Sequence, residues 1–238
     1  MTQGKRGGTP AGPAKGSGAR QMHTRVKTAK GRKLSSQLWL QRQLNDPYVA
    51  AAKREGYRSR AAYKLVQIDD KHRLLKPGYR VLDLGAAPGG WTQVAVERVQ
   101  SSEGRGQVIA VDISSMDPVV GATVLLLDFM HADAPALIKA ELKGQKANLV
   151  LSDMAASGTG HRHTDHLRIM ALCEAALAFA REVLAPGGAF LGKVLQGGTE
   201  NALLAEMKRD FATVRHLKPA ASRTDSAELY VLATGFRG

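Results

Sequence analysis

A single cysteine, Cys173, occurs in 238 residues. That excludes an intrachain disulfide or a zinc cluster of cysteines and fits a reducing compartment. Cys173 lies in Met170-Ala-Leu-Cys-Glu-Ala-Ala-Leu, an apolar helical pattern in which a thiol is expected to be buried packing. No stretch approaches the ~18 consecutive apolar residues of a membrane-spanning helix. The first residues are positive but no apolar segment follows them, so a secretory signal is not expected and a cytoplasmic protein is. Acidic residues are missing altogether from Met1 to Asn45. Residues 1–64 hold 15 Lys and Arg against only Asp46 and Glu55, a net of +13, whereas residues 65–238 hold 19 of each sign. The whole excess of positive charge is therefore in the first quarter of the chain, which points to a polyanionic partner engaged from one side. Met1 to Lys33, rich in Gly, Lys, Arg, Pro and Ala and without periodicity, reads as disordered in isolation. Residues 1–34 are thus expected to form a basic arm for RNA. Its Gly and Pro would spoil the amphipathic helix of an organelle presequence.

What is present is organised around Val81-Leu-Asp-Leu-Gly-Ala-Ala-Pro-Gly-Gly-Trp91. Val81–Leu84 has the pattern of a buried strand and Thr92–Val99 that of an apolar-faced helix. Between them Gly85, Gly89 and Gly90 let the backbone turn sharply and approach a ligand with no Cβ in the way. Such a strand–turn–helix unit opens a doubly wound sheet, whose ligands sit beyond the carboxyl ends of the strands. The glycine spacing is not that of a dinucleotide fingerprint, and no Gly-Lys-Ser/Thr follows to make a phosphate loop. The turn suits a nucleoside without a pyrophosphate, such as S-adenosylmethionine.

A helical preamble is expected over residues 35–76, inside a domain spanning 35–238. Ser35 or Ser36 would cap its first helix, Asp46-Pro47 would start the second, and Ser59 would cap the third. Strands follow at Val108–Val111, Thr123–Leu127, Ala147–Leu151, Ala189–Val194, Thr213–Leu217 and Glu228–Ala233, with helices around Ala134–Leu142, Asp165–Leu184 and Thr199–Arg209 between them. Seven strands, the last two without a helix between, argue an α/β fold with a mostly parallel sheet and an antiparallel edge pair.

Asp112, Asp128 and Asp153 fall just past strand ends, where an open α/β sheet builds its pocket. Asp112 can accept two hydroxyl hydrogen bonds from a ribose diol, Asp128 can receive an adenine amino group, and Trp91 can wall the pocket. Lys193 interrupts the apolar run Phe190-Leu-Gly-Lys-Val-Leu and is expected to be partly buried. Its roles are a simple ion pair with Asp153, or a base for a substrate hydroxyl.

Five ordered segments carry a resemblance: Ser59-Arg-Ala-Ala-Tyr-Lys64, Asp83 to Trp91, Ser152-Asp-Met154, Pro186-Gly-Gly-x-x-x-x-Lys193 and Ser222-Arg-x-x-Ser-x-Glu228-x-Tyr230. Over about residues 35–236 the chain resembles the FtsJ/RrmJ (RlmE) family of ribose 2′-O-methyltransferases, whose bacterial members modify a uridine in the A loop of large-subunit rRNA. The resemblance implies a Rossmann-like S-adenosylmethionine-dependent methyltransferase fold and the family's Lys-Asp-Lys-Glu tetrad on Lys64, Asp153, Lys193 and Glu228. It also implies cofactor contacts at Gly85, Gly89, Trp91, Asp112 and Asp128, with Asp153 near the donor methyl group. The partner it implies is 23S rRNA within the 50S subunit. Where family members commonly continue Ser-Asp-Met-Ala with proline, this chain has Ala156-Ser-Gly-Thr, which leaves the tetrad intact. The Asn/Asp-Pro-Pro-Tyr of enzymes that methylate base amines is missing after this strand. Alternative readings are a 2′-O-methyltransferase for tRNA or an mRNA cap, and an RNA-binding assembly factor without turnover.

The tetrad suits this reaction. A ribose hydroxyl is a poor nucleophile, so its proton must leave as it attacks the methyl of the sulfonium donor. Lys193 would take that proton in its neutral form, which the second cation, Lys64, favours, while Asp153 and Glu228 hold both lysines in place. Alignment of oxygen, methyl carbon and sulfur is the larger contribution, since no covalent intermediate is needed. His161, His163, Asp165 and His166 raise a metal site, but Gly158-Thr-Gly-His-Arg-His-Thr reads better as an RNA-facing loop, and no metal is expected. Arg58, Arg60, Arg162, Arg168 and Arg223 are candidate phosphate contacts. Nothing in the sequence calls for an oligomer, so a monomer is expected.

Overall fold

The computed structural model describes residues 31, 33–156, 158–196 and 201–238. Two compact units are distinguished, residues 1–46 and Pro47–Gly238. The arm expected over 1–34 lies, but for residues 31, 33 and 34, outside the described residues. In the first unit α1 (Leu34–Leu44) begins after Lys33 with no side-chain cap, so the two serines sit inside its first turn rather than before it.

The second unit opens with α2 (Pro47–Glu55) and α3 (Ala62–His72), followed by β1 (Arg80–Leu84) and α4 (Gly90–Val99). Then come β2 (Gln107–Asp112), β3 (Ala122–Leu126), α5 (Ala134–Glu141), β4 (Ala147–Ser152) and α6 (Arg162–Val183). β5 (Leu184–Leu195), α7 (Asn201–Asp210), β6 (Phe211–Leu217) and β7 (Glu228–Phe236) complete it. The seven strands form one sheet in the order β3-β2-β1-β4-β5-β7-β6. The first five are parallel, and β7 runs antiparallel between β5 and β6.

The alternation of strand side chains divides the core in two. Val150, Phe190, Val231 and Ala233 face one layer with Met170, Cys173, Leu177 and Ala180 of α6. Leu149, Leu151, Ala189, Leu191, Tyr230 and Leu232 face the other, with Leu65 and Ile68 of α3 and Val94 and Ala95 of α4. Cys173 is buried, and burial pushes its thiol up to about 12, so it packs as an apolar group.

Two local expectations are corrected. Ser59 does not cap α3: its carbonyl accepts the Ala62 N–H at 3.2 Å, and its hydroxyl is buried without a partner against Gly90. β5 does not start after Pro186-Gly-Gly but runs through it, with a break in register opposite Ala147 and Leu149. Gly188 makes this possible, since a Cβ there would lie 2.8 Å from the Ala185 carbonyl. Among the described residues no helix is long and apolar enough to cross a membrane.

Candidate active site

Face and register bring the tetrad together. Residues 189, 191 and 193 of β5 share the face that carries 228, 230 and 232 of β7, and the antiparallel register sets Lys193 opposite Tyr230 and Leu195 opposite Glu228. α3 packs on that face and contributes Lys64. Asp153 follows the last residue of β4, its N–H donating to the Leu84 carbonyl at 3.0 Å. The result is two lysine–carboxylate pairs, Lys64–Glu228 at 2.6 Å and Lys193–Asp153 at 2.8 Å, with a longer approach of 3.9 Å between Lys193 and Glu228. All four side chains are between 11 and 16% exposed, so neither pair is a solvated surface bridge. Two cations and two anions cancel, which lowers the cost of withdrawing them from water.

Glu228 is supported from three sides. Lys64, Ser222 Oγ at 3.1 Å and the Tyr230 hydroxyl at 3.1 Å all meet its Oε1. Burial works against its ionisation, but the charges of Lys64 and Lys193 more than offset this and hold its carboxyl below the usual range. The segment carrying Ser222 is fixed to α3 and the residues just before it, because Gln67 Oε1 accepts the Ala221 N–H and Arg60 donates to the Ala221 carbonyl. Ser222 and Tyr230 join the site without any sequence signal of their own beyond membership of the segment Ser222–Tyr230.

The glycine turn lies beside this cluster. Gly85 has φ +80°, and a Cβ on it would stand 2.6 Å from the Met154 main-chain nitrogen, so only glycine allows the turn and the Asp153–Met154 segment to approach so closely. Gly89 has φ +106°, and a Cβ there would meet the Arg58 guanidinium at 2.9 Å. Asp112 ends β2 and accepts N–H bonds from Ala87 at 2.8 Å and Ser114 at 2.7 Å, one on each carboxylate oxygen. Each oxygen keeps a second acceptor site, as a diol would require. Asp128 is exposed past the end of β3, with Oδ1 accepting the Met130 N–H at 2.9 Å.

Trp91 departs from its expected place. The residue is 2% exposed in the α3–α4 core layer, its Nε1–H donates to the Ala61 carbonyl at 2.8 Å, and its ring packs on Tyr230 with centroids 5.5 Å apart. The indole therefore floors the site from within instead of walling an open pocket. The Trp91 main-chain N–H is one of those at the start of α4 that have no partner within the helix.

Asp83 is a buried acid that nothing in the sequence marks as a site residue. It is fully buried between the glycine turn and α4, Oδ2 accepts the Thr92 hydroxyl at 2.7 Å, and Oδ1 has no partner. Burial pushes its carboxyl up to about 7; the Thr92 bond opposes this, and the charges of Asp153 and Asp112 add to it.

The candidate phosphate-binding arginines divide differently. Arg58 donates to the carbonyls of Pro88, Asp117 and Pro118 at 3.3, 2.5 and 2.6 Å, clasping the segment after β2 onto the glycine turn. Arg60 is committed to Ala221, and Arg168 and Arg223 also have partners of their own. The Arg162 side chain lies outside the described residues. Asp165 accepts the Thr159 N–H and hydroxyl at 2.7 and 2.8 Å, which closes the loop ahead of α6. Among the described residues no three His, Cys, Asp or Glu side chains are grouped to hold a metal ion.

A glycine turn after β1, acids at the ends of β2, β3 and β4, and β7 inserted antiparallel beside β5 define an α/β methyltransferase domain. Comparison with known proteins agrees. Residues 57–236 match the family model described as FtsJ-like methyltransferase. Two relatives named ribosomal RNA large subunit methyltransferase E are 61% identical over 226 residues in Xanthobacter autotrophicus and 62% identical over 245 residues in Parvibaculum lavamentivorans. These alignments cover 95 and 100% of this chain and 89 and 96% of the relatives. A solved structure described as a ribosomal RNA methyltransferase from Plasmodium falciparum superposes with a TM-score of 0.68 at 29% identity, covering 76% of this chain and all of that one. The chain belongs to the FtsJ-like methyltransferase family.

Proposed function

We propose that the protein methylates a ribose 2′-hydroxyl of large-subunit rRNA with S-adenosylmethionine as donor, its target a uridine of the A loop in the 50S subunit. The observation that carries this reading is the buried Lys64–Glu228, Asp153–Lys193 cluster beside a glycine turn. The names of the relatives, which are 61 and 62% identical, support the substrate class.

The residues present fit the donor. Gly85 and Gly89, where a Cβ would meet Met154 and Arg58, keep the turn without side chains of its own. The unpaired N–H groups at the start of α4, that of Trp91 included, suit a carboxylate. Asp112 has acceptor capacity left for a ribose diol, and the exposed Asp128 would accept from a base amino group. When bound, S-adenosylmethionine supplies an electrophilic methyl group.

The rest is done by the protein. A neutral lysine has two N–H bonds and one lone pair. Lys193 meets two acceptors of Asp153, its Oδ1 and its main-chain oxygen, both at 2.8 Å. Both N–H bonds are thereby used, and the lone pair is left for the substrate hydroxyl. Lys64 is engaged by Glu228 at 2.6 Å, which leaves Asp153 to Lys193. The 2′-oxygen loses its proton to Lys193 Nζ as it attacks the methyl carbon, and proton and methyl balance without any covalent enzyme intermediate.

The test is transfer of labelled methyl to undermethylated large subunits, followed by nuclease digestion and identification of the labelled nucleoside. Label in 2′-O-methyluridine is the expected result; label on a base, or on tRNA alone, would overturn the reading.

A further inference from the structure

Tyr230 lies at the junction of the two ion pairs. It is fully buried on β7, and its ring is packed on Trp91. Its hydroxyl stands 2.9 Å from Asp153 Oδ1, 3.1 Å from Glu228 Oε1 and 3.3 Å from Lys64 Nζ. It therefore touches three of the four tetrad side chains, and the fourth, Lys193, is held by the Asp153 oxygen that it contacts.

A phenol has one proton to give and an oxygen that can accept. Lys64, an obligate donor, fills the accepting role, so the phenolic proton must go to one of the two carboxylates. Asp153 is the nearer. Burial, and then the charges of Asp153 and Glu228, push ionisation of the phenol well above its ordinary range, so it remains a donor at every working pH.

From this geometry we infer that Tyr230 is a positioning residue of the reaction: its single proton draws charge off Asp153 and so sets how firmly Asp153 holds the ammonium form of Lys193. The inference rests on the reading of Lys193 as the base. The charged groups next to Lys193 are Asp153 after β4 and Glu228 from β7, which Tyr230 and, through Glu228, Lys64 of α3 join; the charge of Asp153 also reaches Asp83. Removing the phenolic hydroxyl leaves Asp153 Oδ1 to Lys193 alone. The charged lysine is then held more firmly, and the neutral form that accepts the substrate proton becomes rarer at a given pH.

The test is the pH dependence of single-turnover methyl transfer to undermethylated large subunits by full-length Tyr230→Phe beside wild type. The expected result is an ascending limb displaced upward by about half to one pH unit, a rate about three- to tenfold lower on the limb, and convergence at high pH. S-adenosylmethionine affinity and melting temperature, measured on the same protein, are expected to stay close to wild type. An unmoved limb, a limb moved downward, or a loss equal at all pH values would overturn the inference. Lys193→Ala in the same assay separates the two claims. If it is inactive while Tyr230→Phe shows no shift, only the tyrosine role falls; if it is active, the base assignment falls.

Discussion

Lys193 Nζ lies 2.8 Å from the carboxylate oxygen of Asp153 and 2.8 Å from the main-chain oxygen of the same residue. One residue thus fixes two of the three directions around the amine, and the third is the one the proposed mechanism assigns to the substrate hydroxyl. Asp153→Asn keeps the shape and the main-chain contact but removes the charge that orients the amine. Single-turnover rates are expected to fall about 10²- to 10³-fold, with S-adenosylmethionine affinity, measured by calorimetry, changed far less. A rate within a fewfold of wild type would rule out the orienting role.

Gly85 and Met154 make the close approach between the glycine turn and the Asp153–Met154 segment. With φ at +80° and the Met154 nitrogen 2.6 Å from where a Cβ would stand, Gly85→Ala must displace main chain. The expected cost is roughly 2–4 kcal/mol, or about 5–15 °C in melting temperature, with loss of cofactor binding. Calorimetric melting and cofactor titration check it.

Arg58 gives its guanidinium to three carbonyls at the glycine turn and the segment after β2. Arg58→Ala is accordingly expected to weaken S-adenosylmethionine binding about tenfold, the order of one to two lost charge-assisted hydrogen bonds. A phosphate contact would behave otherwise: its loss would reduce the salt slope of RNA binding by about one. Cofactor titration and RNA binding across a salt series distinguish the two.

Asp83 makes stability depend on pH. Its carboxyl is raised from the ordinary 3.8 to about 7 in the folded chain, so the folded state holds the proton more tightly than the unfolded one. The stabilisation is complete below the unfolded value and is lost as pH rises through the folded value. Asp83→Asn is expected to flatten the decline in stability between about pH 4 and 7, by an amount on the order of 3 kcal/mol. Denaturant melts of both proteins at several pH values would show it.

Much of this fold was legible because strand alternation and glycine turns are local. The strand over 81–84, the acids after β2 and β4 and the antiparallel final strands follow from period and punctuation. The expectation that Lys64, Asp153, Lys193 and Glu228 act together comes from the resemblance carried by five ordered segments, and the four side chains do meet. What escaped depends on pairing between distant segments. Nothing local to Tyr230 says that β7 will set it opposite Lys193, and nothing near Arg58 says that its acceptors will be the carbonyls of residues 88, 117 and 118. Ser59 has the composition of a helix cap, but the packing of Gly90 against its hydroxyl prevails over that preference. Trp91 has the character of a pocket wall, yet the N–H bond to Ala61 and the contact with Tyr230 draw the indole inside.

The proposal that Lys193 takes the 2′-hydroxyl proton is tested most directly by single-turnover methyl transfer with Lys193→Ala on undermethylated large subunits, beside a cofactor titration of the same protein. The expected result is a rate lowered by about 10³-fold or more with S-adenosylmethionine affinity within about threefold of wild type, since Lys193 lies outside the glycine turn and the Asp112 and Asp128 positions. Methyl transfer at a near wild-type rate would contradict it.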